Sequence, residues 1–223
     1  MLGKKKQVAR NALGAALILA FTATPGAFAA DEKGWYLGAG YGQSKVSVDK
    51  GATNAGFTNG GFATASTTAD ETDTAWKLFG GYQFTRNWGV EFAYVDLGKA
   101  SADTATTGTT AQYKQEWSSK AWSLAGVGTA MVGDNLGVFG KLGAFSWDLD
   151  YTCGKVSGTG GACTTPSASP SGTDLTYGVG LKYNFTKQTS LRVEWEQFKN
   201  VGDKNKTGES DVDLIFVGIQ YKL

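Results

Sequence analysis

The 223-residue chain has no histidine, only two cysteines, and no apolar run long enough to cross a membrane as a helix. Each absence excludes something. Without histidine there is no imidazole to serve as general base in a triad or to ligate a metal, so histidine-dependent hydrolysis is excluded and neither metal nor cofactor is expected. Without roughly 20 consecutive apolar residues, no helix spans a bilayer. Charge of one sign is also scarce. Basic residues number 21 and acidic ones 20, with no basic patch of the kind that binds nucleic acid.

What is present begins with targeting. Lys4, Lys5, Lys6 and Arg10 precede the apolar stretch 12–23, Pro25 and Gly26 break it, and Ala27-Phe28-Ala29 has the small-x-small pattern of a cleavage site. Residues 1–29 therefore read as a signal peptide and 30–223 as one domain. Removing the signal takes four basic residues and no acidic ones, leaving 17 basic against 20 acidic, a formal −3. An exported chain meets an oxidising compartment, so Cys153 and Cys163, ten positions apart in a Gly/Ser/Thr-rich stretch, are expected as a disulfide. Closing so small a loop contributes about 3 kcal/mol in the chain-entropy model. A redox or metal site is the alternative, and the missing CxxC spacing and missing histidine stand against it.

Beyond the signal the chain alternates. Strands are expected at 34–47, 72–85, 88–98, 120–132, 135–151, 173–186, 189–199 and 211–222. Short turns lie near Arg86-Asn87, Gly133-Asp134 and Lys187-Gln188. Between them fall long Gly/Thr/Ala/Ser/Asn-rich stretches near 48–71, 99–119, 152–172 and 200–210. One parity carries Trp35, Leu37, Tyr41, Leu78, Phe92, Trp122, Leu124, Leu142, Val179, Leu181, Val193, Ile215, Val217 and Ile219. The other carries Lys77, Glu91, Lys141, Lys182, Arg192, Glu194 and Glu196, with Phe79, Phe139, Phe145, Phe198 and Phe216. A soluble barrel would put the greasy parity inside and the charged one in water. Seven strand-centre charges on one parity demand the opposite arrangement. The fold predicted is all-β: an eight-stranded antiparallel up-and-down transmembrane β-barrel, apolar outside, with four long outer loops and short periplasmic turns.

Eight strands enclose an interior only just filled by side chains. The four inward cations Lys77, Lys141, Lys182 and Arg192 and the three anions Glu91, Glu194 and Glu196 are expected to pair, since an unpaired buried charge is costly. Two readings stand at this point: a plugged structural core, and a narrow pore gated by the Glu91–Arg192 contact. Glu194 and Glu196 share a parity and would be the carboxylate pair of an enzyme, but Arg192 on the same face makes lumen pairing the simpler account. Asp70, Glu71 and Asp73, and Asp148 and Asp150, form acidic rims at the long-loop end. Solvated rim charge is the expectation there, with calcium bridging to lipopolysaccharide as the functional alternative.

The residues Trp35-Tyr36, Phe79-Gly80-Gly81-Tyr82-Gln83, Gly89-Val90-Glu91-Phe92, Lys141-Leu142-Gly143, Gly180-Leu181-Lys182-Tyr183 and Leu191-Arg192-Val193-Glu194-Trp195 come in the order and spacing of a known family. With them the chain resembles the OmpA-type eight-stranded outer-membrane barrels over essentially its whole length after the signal. The resemblance implies that Glu91 on the third strand and Arg192 on the seventh belong to a lumen salt-bridge network. It implies that the last strand, with Gly218, Ile219, Tyr221 and Leu223, is the signal read by the outer-membrane assembly machinery. The chain departs from the family at Val127, where the fourth strand often has lysine, at Lys182, where the sixth can carry an acid, and at Leu223 in place of phenylalanine. The peptidoglycan-binding domain of the longer members is not matched, so tethering through it is not implied.

These readings converge on a monomeric protein of the Gram-negative outer membrane, in contact with lipid and lipopolysaccharide. The leading function is non-catalytic: envelope integrity, or binding of an extracellular partner through the loops, where Phe57, Phe62, Tyr113 and Trp117 supply aromatic anchors. Hydrated cover is the alternative role for those loops. A narrow gated channel is the second function and a barrel enzyme the third.

Overall fold

The computed structural model describes residues 33–61, 63–107, 111–159, 161–163, 165–204 and 206–223; the expected signal peptide and Phe62 lie outside them. The described chain forms β1 (Gly34–Val46), α1 (Lys50–Asn59), β2 (Thr64–Asp70), β3 (Thr72–Gln83), β4 (Trp88–Thr107), β5 (Gln112–Val132), β6 (Leu136–Ser157), β7 (Ser167–Ala168), β8 (Ser171–Asn184), β9 (Thr189–Asp203) and β10 (Gly208–Lys222). Eight of these strands close a ring in the order β1-β3-β4-β5-β6-β8-β9-β10, each antiparallel to the next. β10 pairs back onto β1 from Tyr36↔Lys222 to Val46↔Val212. Closure leaves no unpaired edge in the membrane, which a spanning sheet requires. β2 and β7 stand outside the ring, on the far half of β4 and on Tyr151–Thr152 of β6.

The parity expected from the alternation is the parity that forms. Trp35, Leu37, Tyr41, Leu78, Phe92, Trp122, Leu124 and Leu142 are exposed on the outer wall, whereas Tyr36, Lys77, Phe79, Glu91 and Phe139 are buried. On β4 to β6 the outward residues change character along the strand. Phe92 and Tyr94 give way to Asp96, Leu124 and Trp122 to Lys120, and Leu142 to Asp148. The register puts Tyr94 opposite Trp122, Asp96 opposite Lys120, and Lys120 opposite Asp148. This level marks the outer edge of the membrane, because charge is disfavoured on a lipid-facing wall and aromatic rings are favoured at its border.

Past that level the sheet continues. β4, β5 and β6 have 20, 21 and 22 residues, about twice the 9–11 a membrane strand needs. The expectation that 99–119 is a loop is corrected: most of it is paired strand. The cause is a bulge between Asp96 and Lys99, where Gly98 has φ +73°. The Asp96 carboxylate accepts from the Gly98 N–H at 3.0 Å, and the Asp73 carboxylate from the Lys99 N–H at 2.8 Å. One extra residue shifts the buried parity from Val95 and Leu97 to Ala100, Ala102 and Thr104. The alternation breaks in the sequence although the strand does not.

The first long loop is likewise not irregular. It holds α1, begun by Asp49, whose carboxylate accepts from the Ala52 N–H at 2.9 Å, and then β2. The third is tied by the Cys153–Cys163 disulfide, with Cα atoms 6.0 Å apart. The outer loops thus form a structured crown above the membrane.

Candidate functional site

Inward parity at the middle of the barrel brings six charged side chains together: Lys77 from β3, Glu91 from β4, Lys141 from β6, and Arg192, Glu194 and Glu196 from β9. Lys77 Nζ donates to Glu194 and, at 3.0 Å, to Glu196. Lys141 Nζ donates to Glu196 at 2.5 Å and to Glu194 at 3.1 Å. Arg192 donates through Nη1 to Glu91 and through Nη2 to Glu194 at 2.7 Å. Both lysines also stand near Glu91, at 3.9 and 3.8 Å. Three cations meet three anions, so the cluster is neutral.

None of the six side chains is more than 3% exposed. Burying one such charge alone costs several kcal/mol, and only mutual pairing plus extra hydrogen bonds offsets that. The extra bonds are present. The Thr176 hydroxyl donates to Glu196 at 2.9 Å, and the Tyr36 hydroxyl to Glu91 at 3.2 Å. The Arg192 guanidinium lies between Phe79 and Phe139, each ring centroid 4.4 Å away, a cation–π sandwich in a site where Nε has no hydrogen-bond partner among the described residues. Gly38 and Gly180 make the sandwich possible, since a Cβ on either would run into the Phe79 or Phe139 ring.

Of the seven lumen charges predicted, Lys182 is the correction. It points inward but makes no salt bridge among the described residues, and it lines a small cavity at the periplasmic end with Arg86, Asp134 and Lys222. Its cross-strand neighbour Arg192 takes Glu91 and Glu194 into direct contact, so Lys182 forms no ion pair with either. Val127, the departure noted on the fourth ring strand, faces Lys141 across the register. Sequence reasoning missed Tyr36, Thr176 and Gln220 as partners of the cluster, although all three stand on the inward parity. Gln220 Oε1 lies 3.4 Å from Arg192 Nη1.

Outward from the cluster the lumen is filled by an apolar layer. Phe145 and Phe198 meet edge to face at 5.0 Å, with Val95, Trp147 and Leu214 also buried around them. The acidic rims have ordinary partners: Glu71 pairs with Lys50 at 3.5 Å, and Asp150 accepts from Ser169 at 2.9 Å. Among the described residues no three His, Cys, Asp or Glu side chains stand together as a metal site. On the last strand Ile219, Tyr221 and Leu223 are exposed on the outer wall, and Gly218 lies opposite Arg192.

The profile of the OmpA-like transmembrane domain matches residues 30–223. The chain belongs to that family. Outer membrane protein A of Salmonella typhi is 28% identical over 219 residues, and that of Shigella flexneri 27%; each alignment covers 96% of this chain and 55% of the relative. The chain thus spans about half the length of the curated relatives it matches. Among solved structures, Neisserial surface protein A superposes with a TM-score of 0.50 at 10% identity, covering 86% of this chain and 100% of that one. The outer membrane protein OprG of Pseudomonas aeruginosa gives 0.49 at 15% identity, covering 87% and 97%. This OmpA-like chain is an outer-membrane β-barrel.

Proposed function

We propose that this OmpA-like barrel is a non-conducting, non-catalytic anchor that carries a structured binding crown on the outer surface. The observation that carries the reading is the lumen itself. Lys77, Glu194 and Glu196 have no exposure to water, and the apolar layer of Phe145 and Phe198 stands directly above them. No lining residue is shared between the cavity at the outer end and the one at the periplasmic end. Binding then falls to the crown, while Gly218, Ile219, Tyr221 and Leu223 serve as the assembly signal. Lipid and lipopolysaccharide surround the wall of a monomer.

A narrow gated channel is the second reading, and one feature favours it. Arg192 holds two acids at once, Glu91 and Glu194, so it retains a partner when either contact opens. Planar-bilayer recording on refolded protein separates the two, run beside Glu91→Gln. Silence from both proteins supports the closed anchor. Discrete openings whose size or frequency changes in the variant would replace it with the channel.

A further inference from the structure

The crown holds a solvent-open cavity of about 600 Å³, inside the range of small-molecule sites. Its floor is the top of the apolar core, Leu97, Leu149, Val201 and Val212; its wall carries Trp117 and Tyr151, with ring centroids 5.4 Å apart; its roof is α1. Polar groups interrupt this lining, among them Gln115, Ser119 and Thr207. The Ser119 hydroxyl is buried and has no hydrogen-bond partner among the described residues. The Trp117 indole is oriented by donating to the Thr207 carbonyl at 3.1 Å. Charges are kept to the rim, where Lys204 pairs with Glu209 at 3.3 Å, Lys206 is exposed, and Asp49 is committed to the helix cap.

A buried hydroxyl without a partner costs roughly 1–3 kcal/mol relative to a satisfied one. An unpartnered serine buried on the inward parity between Trp117 and Ala121 is therefore a disfavoured choice unless something supplies the bond. The roof points the same way. α1 contributes no buried residue, and ten residues are too few to hold a helix alone. It is fastened through the Thr67 hydroxyl donating to Asn54 at 2.8 Å and through Phe57 against Tyr113 at 5.0 Å. A helix so placed covers a space that its own side chains do not fill.

We infer that the crown cavity is a binding site for a small uncharged molecule with an apolar, ring-sized body and one hydrogen-bonding group, held between Trp117, Tyr151 and the Leu97–Leu149 floor with its polar group on Ser119. Apolar walls bind the body through burial, and the unpartnered Ser119 hydroxyl fixes its orientation. A charged ligand is disfavoured, because no charged side chain lines the cavity below the rim. The inference rests on the reading of the crown as the binding part of the molecule.

The test uses 2-naphthol as probe, titrated into ¹⁵N-labelled protein in nanodiscs while the Trp117 indole N–H resonance is followed. A saturable shift is expected, with Ser119→Ala binding roughly fivefold more weakly, the loss of one hydrogen bond. Ser119→Phe, whose ring would occupy the space beside Trp117 assigned to the probe, should abolish the shift. Unchanged gel mobility of each unboiled variant establishes that the barrel is folded, and an otherwise unchanged ¹⁵N spectrum that the crown is. No saturable shift up to millimolar probe, or the same shift in Ser119→Phe, overturns the inference. Either negative result leaves the closed anchor standing, because that reading falls only to ionic current.

Discussion

Arg192 and Glu91 stand on strands diametrically opposite in the ring, β9 and β4, four places apart in either direction, and pair directly across the lumen. The two residues are 101 positions apart in sequence. An ion pair of this kind ties the two sides of the cylinder together through its centre, which strand pairing alone cannot do.

Removing one member should therefore cost more than removing a surface charge. Glu91→Gln leaves three cations facing two anions with no water to screen them, and the expected loss is about 3 kcal/mol, within the range for breaking a buried pair. Urea unfolding of the refolded barrel, followed by gel mobility, reads it. The double change Glu91→Leu with Arg192→Met should recover most of the loss, because the uncompensated charge is gone. A single variant as stable as the wild type would contradict the cluster's role.

Lys182 supplies the contrast. It shares the inward parity but makes no salt bridge among the described residues, so Lys182→Gln breaks no ion pair and should cost less than about 0.5 kcal/mol of unfolding free energy. Lys141→Gln, which takes two short contacts from Glu194 and Glu196, should cost several times more. Equal effects at the two lysines would return Lys182 to the network.

The disulfide belongs to the crown and not to the membrane wall. Replacing Cys153 and Cys163 together by serine should leave the heat-dependent gel shift of the barrel unchanged. Proteolysis of the segment around 155–170 should become faster. Loss of the folded gel band in the double variant would show that the clip supports the barrel itself.

The outer ends of β9 and β10 carry a pH-sensitive contact. Burial acts against the Asp211 carboxylate, but the Lys199 ammonium and the Asn200 N–H, 3.1 Å from Oδ1, more than compensate and hold its pKa below the ordinary value. A carboxyl depressed in the folded state adds stability above its unfolded pKa, and that contribution is lost as pH falls through the folded one. Amide exchange at Asn200 and Val201 should therefore quicken below about pH 4, the ordinary range for aspartate. In Asp211→Asn the acid-dependent step should disappear. Persistence of the step in that variant would assign it to another group.

Much of the barrel wall is legible in the chain itself. The parity of Leu37, Phe92, Leu124 and Val217 against Lys77, Glu91 and Arg192 is a local property, because a strand turns successive side chains to opposite faces. A bilayer then decides which face is outside. The same parity marks Glu91, Lys141, Arg192, Glu194 and Glu196 as lumen residues. It cannot divide them into partners, since strand register and ring closure determine which inward residues share a level. Lys182 falls in with them on parity alone for that reason.

Alternation itself determined that this protein is an eight-stranded membrane barrel with a charged interior, because lipid on one side and a narrow lumen on the other impose opposite chemistry on neighbouring residues. Only the tertiary structure decided how the interior closes and what lies above the membrane. Beyond Lys120 the outer face of β5 turns polar and its inner face mixes Trp117 and Tyr113 with Ser119 and Gln115, and after Gly98 the parity of β4 shifts by one. Where water replaces lipid, the contrast between faces fades from the sequence, although backbone pairing carries the sheet onward. The crown, its cavity and the unpartnered Ser119 hydroxyl are set by long-range pairing, which no local pattern records.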